Sequence, residues 1–487
     1  TPAGARPALH ARLARCLTMR GVRVGGGEIG AHYAAAGEPL RAALRDLREA
    51  DAALSGGDYP TALALYSRAE ALLPRDGRAV DARRAEAAAG QALASWGVGQ
   101  VSKAADFARG ALAAIDRCLG RGDPRRGGDR RRWLTFLGRG GAMPVRARAA
   151  LLRASVVRAE AGLFCGDLRS MLAGNLASVR IAARADAQAE ARARGMCTLG
   201  LLLGLARLDP VASLAYRAAS RTLDGPHIAY SCASEGVWRL AFGSWSRAEA
   251  CLARAAAYLG TASNPQLAEV IVTLRALAAQ FQGRWPEAEA LFRQLEIDAR
   301  LRGNDLHVAW GIYGAAMPML HTGRCSEAAA AAAAAHALLR PTGDRQSQLI
   351  CLGVSAQASA RLKDFEAALE FAEQGVALAL TMPPLNFGSL EGYAGPAAAA
   401  LVAAGDPEAT PTLRDRANRL IPTGLRVLTD FARVFPIGRP RLLALRSLAS
   451  PSRADSLAAA AARESARLNM AGERWGASWI DATRMTP

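Results

Sequence analysis

Apolar residues in the middle of the chain recur in steps of four and three, and the whole pattern returns every 40 residues. Four segments align without gaps, starting at Gly243, Gly283, Gly323 and Lys363. Two positions on stand Trp245, Trp285, Cys325 and Phe365, and five on stand Ala248, Ala288, Ala328 and Ala368. Nine on are Leu252, Phe292, Ala332 and Ala372; twelve on are Ala255, Leu295, Ala335 and Gly375. Offsets of five, nine and twelve fall on one face of a helix. Seven residues before each start there is a further small residue, Gly236, Ala276, Ala316 or Ala356. The pattern predicts tandem helix hairpins. Gly or Lys363 ends one helix, the large residue wedges into the turn, and the alanines let the second helix pack closely on the first.

The same pattern continues upstream with more variation. Gly57-Asp-Tyr59-Pro-Thr-Ala62 leads to Tyr66, Ala69 and Pro74, and Gly99 leads to Val101, Ala104, Ala108 and Ala111. Weaker copies start at Gly166 and Arg207, and a last degenerate one runs through Ala454, Ala458 and Ala461. These residues resemble the tetratricopeptide repeat, and Gly57 to Pro74 matches its Gly, aromatic, Ala, aromatic, Ala, Pro signature throughout. The spacing exceeds the usual repeat of about 34 residues. The resemblance implies an all-α, right-handed superhelical solenoid of longer hairpins with a concave inner face.

Composition agrees with helices and limits chemistry. Of 487 residues, 51% are hydrophobic and only 6% aromatic. Ala dominates the apolar fraction and is the strongest helix former, whereas strands favour β-branched and aromatic residues. The net charge is +18, borne almost wholly by Arg, since Lys103 and Lys363 are the only lysines. Neither follows a Gly, so the chain has no P-loop, whose Lys must reach the terminal phosphates. The eight cysteines are scattered without a C-x-x-C pair, so they read as small core residues. The six His have no metal-ligand spacing, and no G-x-S-x-G elbow occurs. Gly25-Gly-Gly27-Glu-Ile-Gly30 formally satisfies G-x-G-x-x-G, but helix hairpins rather than a β-α-β unit follow it. It reads as a hinge ahead of the repeats. No uninterrupted apolar stretch reaches the length of a membrane span, and no signal-peptide core is present, so the expectation is a soluble, cytoplasmic chain.

Two regions break the repeat. Residues 121–148 carry nine Arg against two Asp, and the first 150 residues hold +11 of the total charge. Arg125, Arg126, Arg130, Arg131 and Arg132 form a candidate basic docking segment in an Arg-rich loop. The second region contains Pro383-Pro384, Asn386-Phe-Gly-Ser-Leu-Glu-Gly-Tyr393 and Phe435-Pro-Ile-Gly-Arg-Pro440. These blocks resemble the C-terminal repeat region of bacterial signalling ATPases, of the kind linked to class III adenylate/guanylate cyclase or protein kinase domains. His10-Ala-Arg-Leu-Ala and Ile29-Gly-Ala-His32-Tyr33 are similar to the segment joining such a module to its repeats. The expected organisation is a junction segment at 1–38, N-terminal repeats at 39–120 and the Arg-rich loop at 121–148. Central repeats follow at 149–380, then irregular and capping repeats at 381–487.

In tetratricopeptide repeats the first helix of each pair lines the concave groove, and the resemblance carries this role to specific positions. They are Val270, Thr273, Leu277 and Gln280 in one copy, and Trp310, Tyr313, Met317 and Leu320 in the next. An apolar and aromatic floor of this kind suits a protein or peptide partner or a small ligand. It disfavours nucleic acid, which would want Arg there. The expectation is a non-catalytic binding scaffold without cofactor or metal, the sensor arm of a larger signalling ATPase or cyclase that contacts the upstream module in cis. The alternatives are a stand-alone adaptor for a partner peptide and an Arg-rich nucleic-acid-binding solenoid.

Overall fold

The computed structural model describes residues 5–19, 27–74, 77–119, 145–183, 189–222, 225–260 and 264–473. The candidate basic segment, Arg125 to Arg132, lies outside them. The protein is all-α, and its described residues fall into two compact units. One lies within Thr1–Ala161 and Ser170–Ala185, the other within Gly162–Arg169 and Asp186–Pro487.

The first unit contains α1 (Arg6–Met19), α2 (Glu28–Ala35), α3 (Pro39–Ser55), α4 (Tyr59–Leu72), α5 (Arg78–Gly97) and α6 (Val101–Cys118). Most of α7 (Val145–Cys165) and of α8 (Leu168–Ala182) belongs to it as well. Helices α3 and α4, and α5 and α6, pack as hairpins. Asp46, fully buried on α3, receives two hydrogen bonds from Arg68 of α4, at 2.7 and 2.6 Å. Arg68 also donates to the Gly27 carbonyl at 2.7 Å. Gly27 begins α2 at a φ of 82°, and Gly30 is packed against Asp46. The expected hinge is therefore, at Gly27–Gly30, a helix start pinned by a half-buried arginine paired with a buried aspartate.

The second unit runs through α9 (Ala189–Leu205), α10 (Asp209–Thr222), α11 (Gly225–Ala241), α12 (Trp245–Leu259), α13 (Pro265–Phe281) and α14 (Trp285–Leu301). It continues with α15 (Asp305–His321), α16 (Cys325–Leu339), α17 (Arg345–Arg361) and α18 (Phe365–Leu380). The last helices are α19 (Leu390–Gly405), α20 (Pro411–Val434), α21 (Arg439–Ala449) and α22 (Ala454–Arg467). Consecutive helices pair as hairpins.

The repeat positions behave as their spacing requires. All the residues five, nine and twelve places after the four central starts are buried, and so are the small residues seven places before. Gly243, Gly283, Gly323 and Lys363 have φ of 72, 76, 84 and 62°. Each turn closes with the paired bonds of a Schellman motif. In the Gly283 copy, Gly283 donates its N–H to Gln280 and Arg284 to Ala279, both at 2.9 Å. The Lys363 copy keeps the same two bonds despite its side chain, with Lys363 donating to Ala360 and Asp364 to Ser359. Among the cysteines, Cys118, Cys197, Cys232, Cys251, Cys325 and Cys351 are buried, Cys165 is half-buried and Cys16 is exposed.

Periodicity does not reveal one feature of the packing. Where the residue nine places after a turn is large, a glycine on a neighbouring helix faces it. Tyr66 lies over Gly90, Tyr216 over Gly200, Leu252 over Gly236 and Phe292 over Gly314. A Cβ on Gly314 would stand 2.1 Å from the Phe292 ring, which is itself buried.

Glycines at the turn and at the crossing therefore fail differently when changed to alanine. At Gly323 a Cβ meets nothing within 4 Å, so Gly323→Ala loses about 1 kcal/mol through backbone strain alone. Gly314→Ala loses about 2 kcal/mol through overpacking, and most of that penalty vanishes in a Phe292→Ala background. Urea unfolding of the single and double variants measures both effects; additive losses at Gly314 and Phe292 would refute the paired packing.

Candidate partner-binding surface

The first helices of the central hairpins are aligned by their caps. The side chains of Asn264, Asn304 and Asp344 accept the N–H groups of Leu267, His307 and Ser347 at 3.0, 3.1 and 3.0 Å. This satisfies donors left without partners at a helix start and places α13, α15 and α17 in the same register. Of the residues expected to line the groove, Val270 and Thr273 are half-buried. Leu277, Gln280, Trp310, Tyr313, Met317 and Leu320 are buried.

Most of their polar atoms are used inside the chain, although Gln280 Oε1 is buried without a hydrogen-bond partner among the described residues. Trp310 Nε1 donates to Asp344 at 3.0 Å, Tyr313 shares a hydrogen bond of 3.2 Å with Ser347, and Gln280 Nε2 donates to the Met317 sulfur at 3.2 Å. Phe164 lies 5.2 Å from the Trp310 ring, and Gly388 packs beside Leu277. These side chains thus link successive first helices and are covered by other parts of the same unit.

Beside Trp310 is a charged cluster that sequence reasoning missed. The His307 ring stacks on Trp310 with centroids 4.3 Å apart. Its Nδ1–H donates to Glu269, which also pairs with Arg302. Burial pushes His307 down to about 3, with the neighbouring Arg302 charge adding to the effect. Burial raises the Asp344 carboxyl, against the hydrogen bonds from Ser347 and Trp310.

A second buried network joins α15, α17, α19 and α21. Glu391 accepts from Gln357 at 2.8 Å, from His321 at 3.1 Å and from both terminal nitrogens of Arg441 at 3.3 Å. Glu473 accepts twice from Arg441, both at 2.8 Å. Burial alone would raise the Glu391 carboxyl; the Arg441 charge and the bonds from His321 and Gln357 outweigh it and hold it well below the usual range. The visible signal was a lone Glu at the start of the otherwise apolar run Leu390–Leu401. A carboxylate there must find a buried partner.

His336 is half-buried, and burial lowers its pKa. Among the described residues no group of three or more His, Cys, Asp or Glu could hold a metal ion. No described helix is long and apolar enough to cross a membrane.

No protein-family model matches the chain, and no curated protein matches it. Among solved structures the chain is similar to one described as "Crystal structure of APC/C hetero-tetramer Cut9-Hcn1". Identity is 13% over 90% of this chain and 94% of that one, with a TM-score of 0.29. A superposition this loose adds nothing to the helix hairpins seen directly.

Two outcomes test these clusters. An unfolded His titrates near about 6.5. Below that value the unfolded chain takes up a proton that His307 in the folded chain refuses. The His307 contribution is therefore full above pH 6.5 or so and is lost as pH falls. From pH 7 to 5 the loss is about 2 kcal/mol. Replacing His307 with Gln removes that part of the slope in urea titrations at the two pH values; an unchanged slope would refute the assignment. At the second network, Glu391→Leu loses about 3 kcal/mol by stranding Arg441 with a single carboxylate, and Glu391→Leu with Arg441→Met loses less than the single change. The same denaturation assay reads both.

Proposed function

We propose that this chain is a non-catalytic binding scaffold, the regulatory arm of a larger bacterial signalling ATPase of the adenylate-cyclase-associated kind. The observation that carries the reading is the tandem array of hairpins with its family-like blocks at 383–393 and 435–440. The structure gives those blocks a definite use. Asn386 accepts the Gly388 N–H at 2.9 Å and starts a short 3-10 turn. Phe387 packs against Phe281, with ring centroids 6.4 Å apart. Glu391 pairs with Arg441, which follows Arg439-Pro440. The residues that carry the resemblance therefore hold the last hairpins together, which supports a common architecture and is silent on the ligand.

In this reading the chain supplies binding and an upstream nucleotide-driven module supplies chemistry. A protein or small-ligand partner that favours one packing of successive hairpins over another biases the module through a shift between two arrangements. Buried links such as Trp310 to Asp344 and Tyr313 to Ser347 are where such a shift would be resisted or transmitted.

The test is the coding sequence on the 5′ side of Thr1. In-frame Walker motifs, with cyclase or kinase motifs before them, are the expected result. An initiator codon directly before Thr1 would overturn the regulatory-arm reading and favour the stand-alone adaptor.

A further inference from the structure

Helix α20 turns one face away from its hairpin partner. Arg426, Thr429, Asp430 and Arg433 follow one another at steps of three, one and three, so they share a side of the helix. Across from them stand Arg446, near the end of α21, and Arg453, just before α22. Between these walls lies an open cavity of about 650 Å³. The lining on the α20 side extends from Pro422 to Arg433, about 16 Å of helix. That makes the cavity a groove of three turns rather than a point site.

The electrostatics of the groove are unbalanced. It contains four guanidinium groups and one carboxylate. Asp430 is already engaged by Arg433 at 2.8 Å, and Arg446 donates to the Thr429 hydroxyl at 3.0 Å. Arg426 and Arg453 are exposed and make no ion pair among the described residues. Elsewhere in the second unit arginines are commonly neutralised across repeats. Arg284 meets Glu249, Arg324 meets Glu289, and Arg416 meets both Glu366 and Glu373. A concave site lined by one sign of charge focuses its field and concentrates oppositely charged partners.

The rest of the lining narrows the partner. Leu425 and Leu457 put aliphatic surface next to the arginines. The lining holds no aromatic ring on which a base would stack, the usual platform for single-stranded nucleic acid. Arginine is well matched to carboxylates through its paired donors.

We propose that the groove between α20 and the α21–α22 pair binds an acidic peptide segment of a protein partner. Its carboxylates pair with Arg426 and Arg453, and its aliphatic side chains rest on Leu425 and Leu457. The proposal builds on the scaffold reading and specifies the chemistry of the partner.

The experiment uses the whole chain and a fluorescein-labelled peptide of about twelve residues composed of Glu, Asp and Leu, followed by anisotropy. The wild-type chain binds it, with affinity falling as salt rises from about 50 to 200 mM. The variant R426E/R453E binds at least about tenfold more weakly, and R426Q/R453Q binds several-fold more weakly. Both positions are exposed, so far-ultraviolet circular dichroism stays at the wild-type value and loss of fold is separated from loss of binding. Equal affinity in wild type and both variants would place the peptide elsewhere and overturn the proposal while leaving the scaffold reading intact. No binding to wild type would also overturn it. So would tighter binding of tripolyphosphate or an oligothymidylate that displaces the peptide, because the groove would then belong to phosphates. The regulatory-arm reading stands or falls separately, on the upstream coding sequence.

Discussion

The close approach of two helices through side chains of one carbon or none is the constraint on which the rest of the structure depends. Ala248, Ala288, Ala328 and Ala368 are all fully buried. So are Ala276, Ala316 and Ala356 on the preceding helices. An alanine contributes little transfer free energy by itself, but it lets backbones come near enough for many dispersion contacts. Close packing then leaves no slack in the turn. The chain must reverse within a few residues, and a left-handed residue at the helix end is the compact way to do so. At Gly353 and Gly395 the logic reaches its limit: a Cβ on either would lie within 2.3 Å of backbone atoms of the opposite helix.

Tight apolar contact between similar helices specifies position poorly, since one alanine face resembles another. The buried polar groups supply what is missing. Glu391 accepts hydrogen bonds from three side chains on three different helices, and each requires a particular register. Trp310 with Asp344 and Tyr313 with Ser347 do the same between successive first helices. Such pairs add little net stability over well-packed apolar groups, yet a misplaced helix would leave a buried charge unpaired. The residues that look most like a binding floor are thereby committed to holding the repeats in line.

The fold was legible because a helical face is a periodic object. The 40-residue recurrence located the turns from Gly243 to Lys363, looser copies of the pattern located those upstream, and the burial of the spaced alanines follows from geometry. Tertiary pairing was not legible. Nothing in the spacing says that Phe292 meets Gly314, because that depends on which helix comes to lie alongside. The candidate groove residues were chosen by position in the repeat, and position does not reveal that Phe164 and Gly388 return to cover them. The hinge assigned to the glycines before Ile29 failed at Gly27–Gly30 for a related reason. Glycine there admits the Asp46–Arg68 pair against the backbone, which looks the same in sequence as freedom to bend.

Repeat arrays are usually held by neighbour-to-neighbour contacts, so that they can lose repeats from an end without disturbing the middle. The second unit also has a hydrogen bond that spans many repeats. Trp245, at the first central turn, donates its indole N–H to the carbonyl of Leu468, and Gly472 lies against Trp285 one repeat later. The end of the described chain is thus fastened to a point 223 residues earlier. Closing so long a loop carries an entropy penalty that grows only slowly with its length. It also ties the start of the central repeats to the last helices. Release of the last helices therefore also uncovers Trp245 and the turn at Gly283, so the two ends of the stretch 245–473 shield each other.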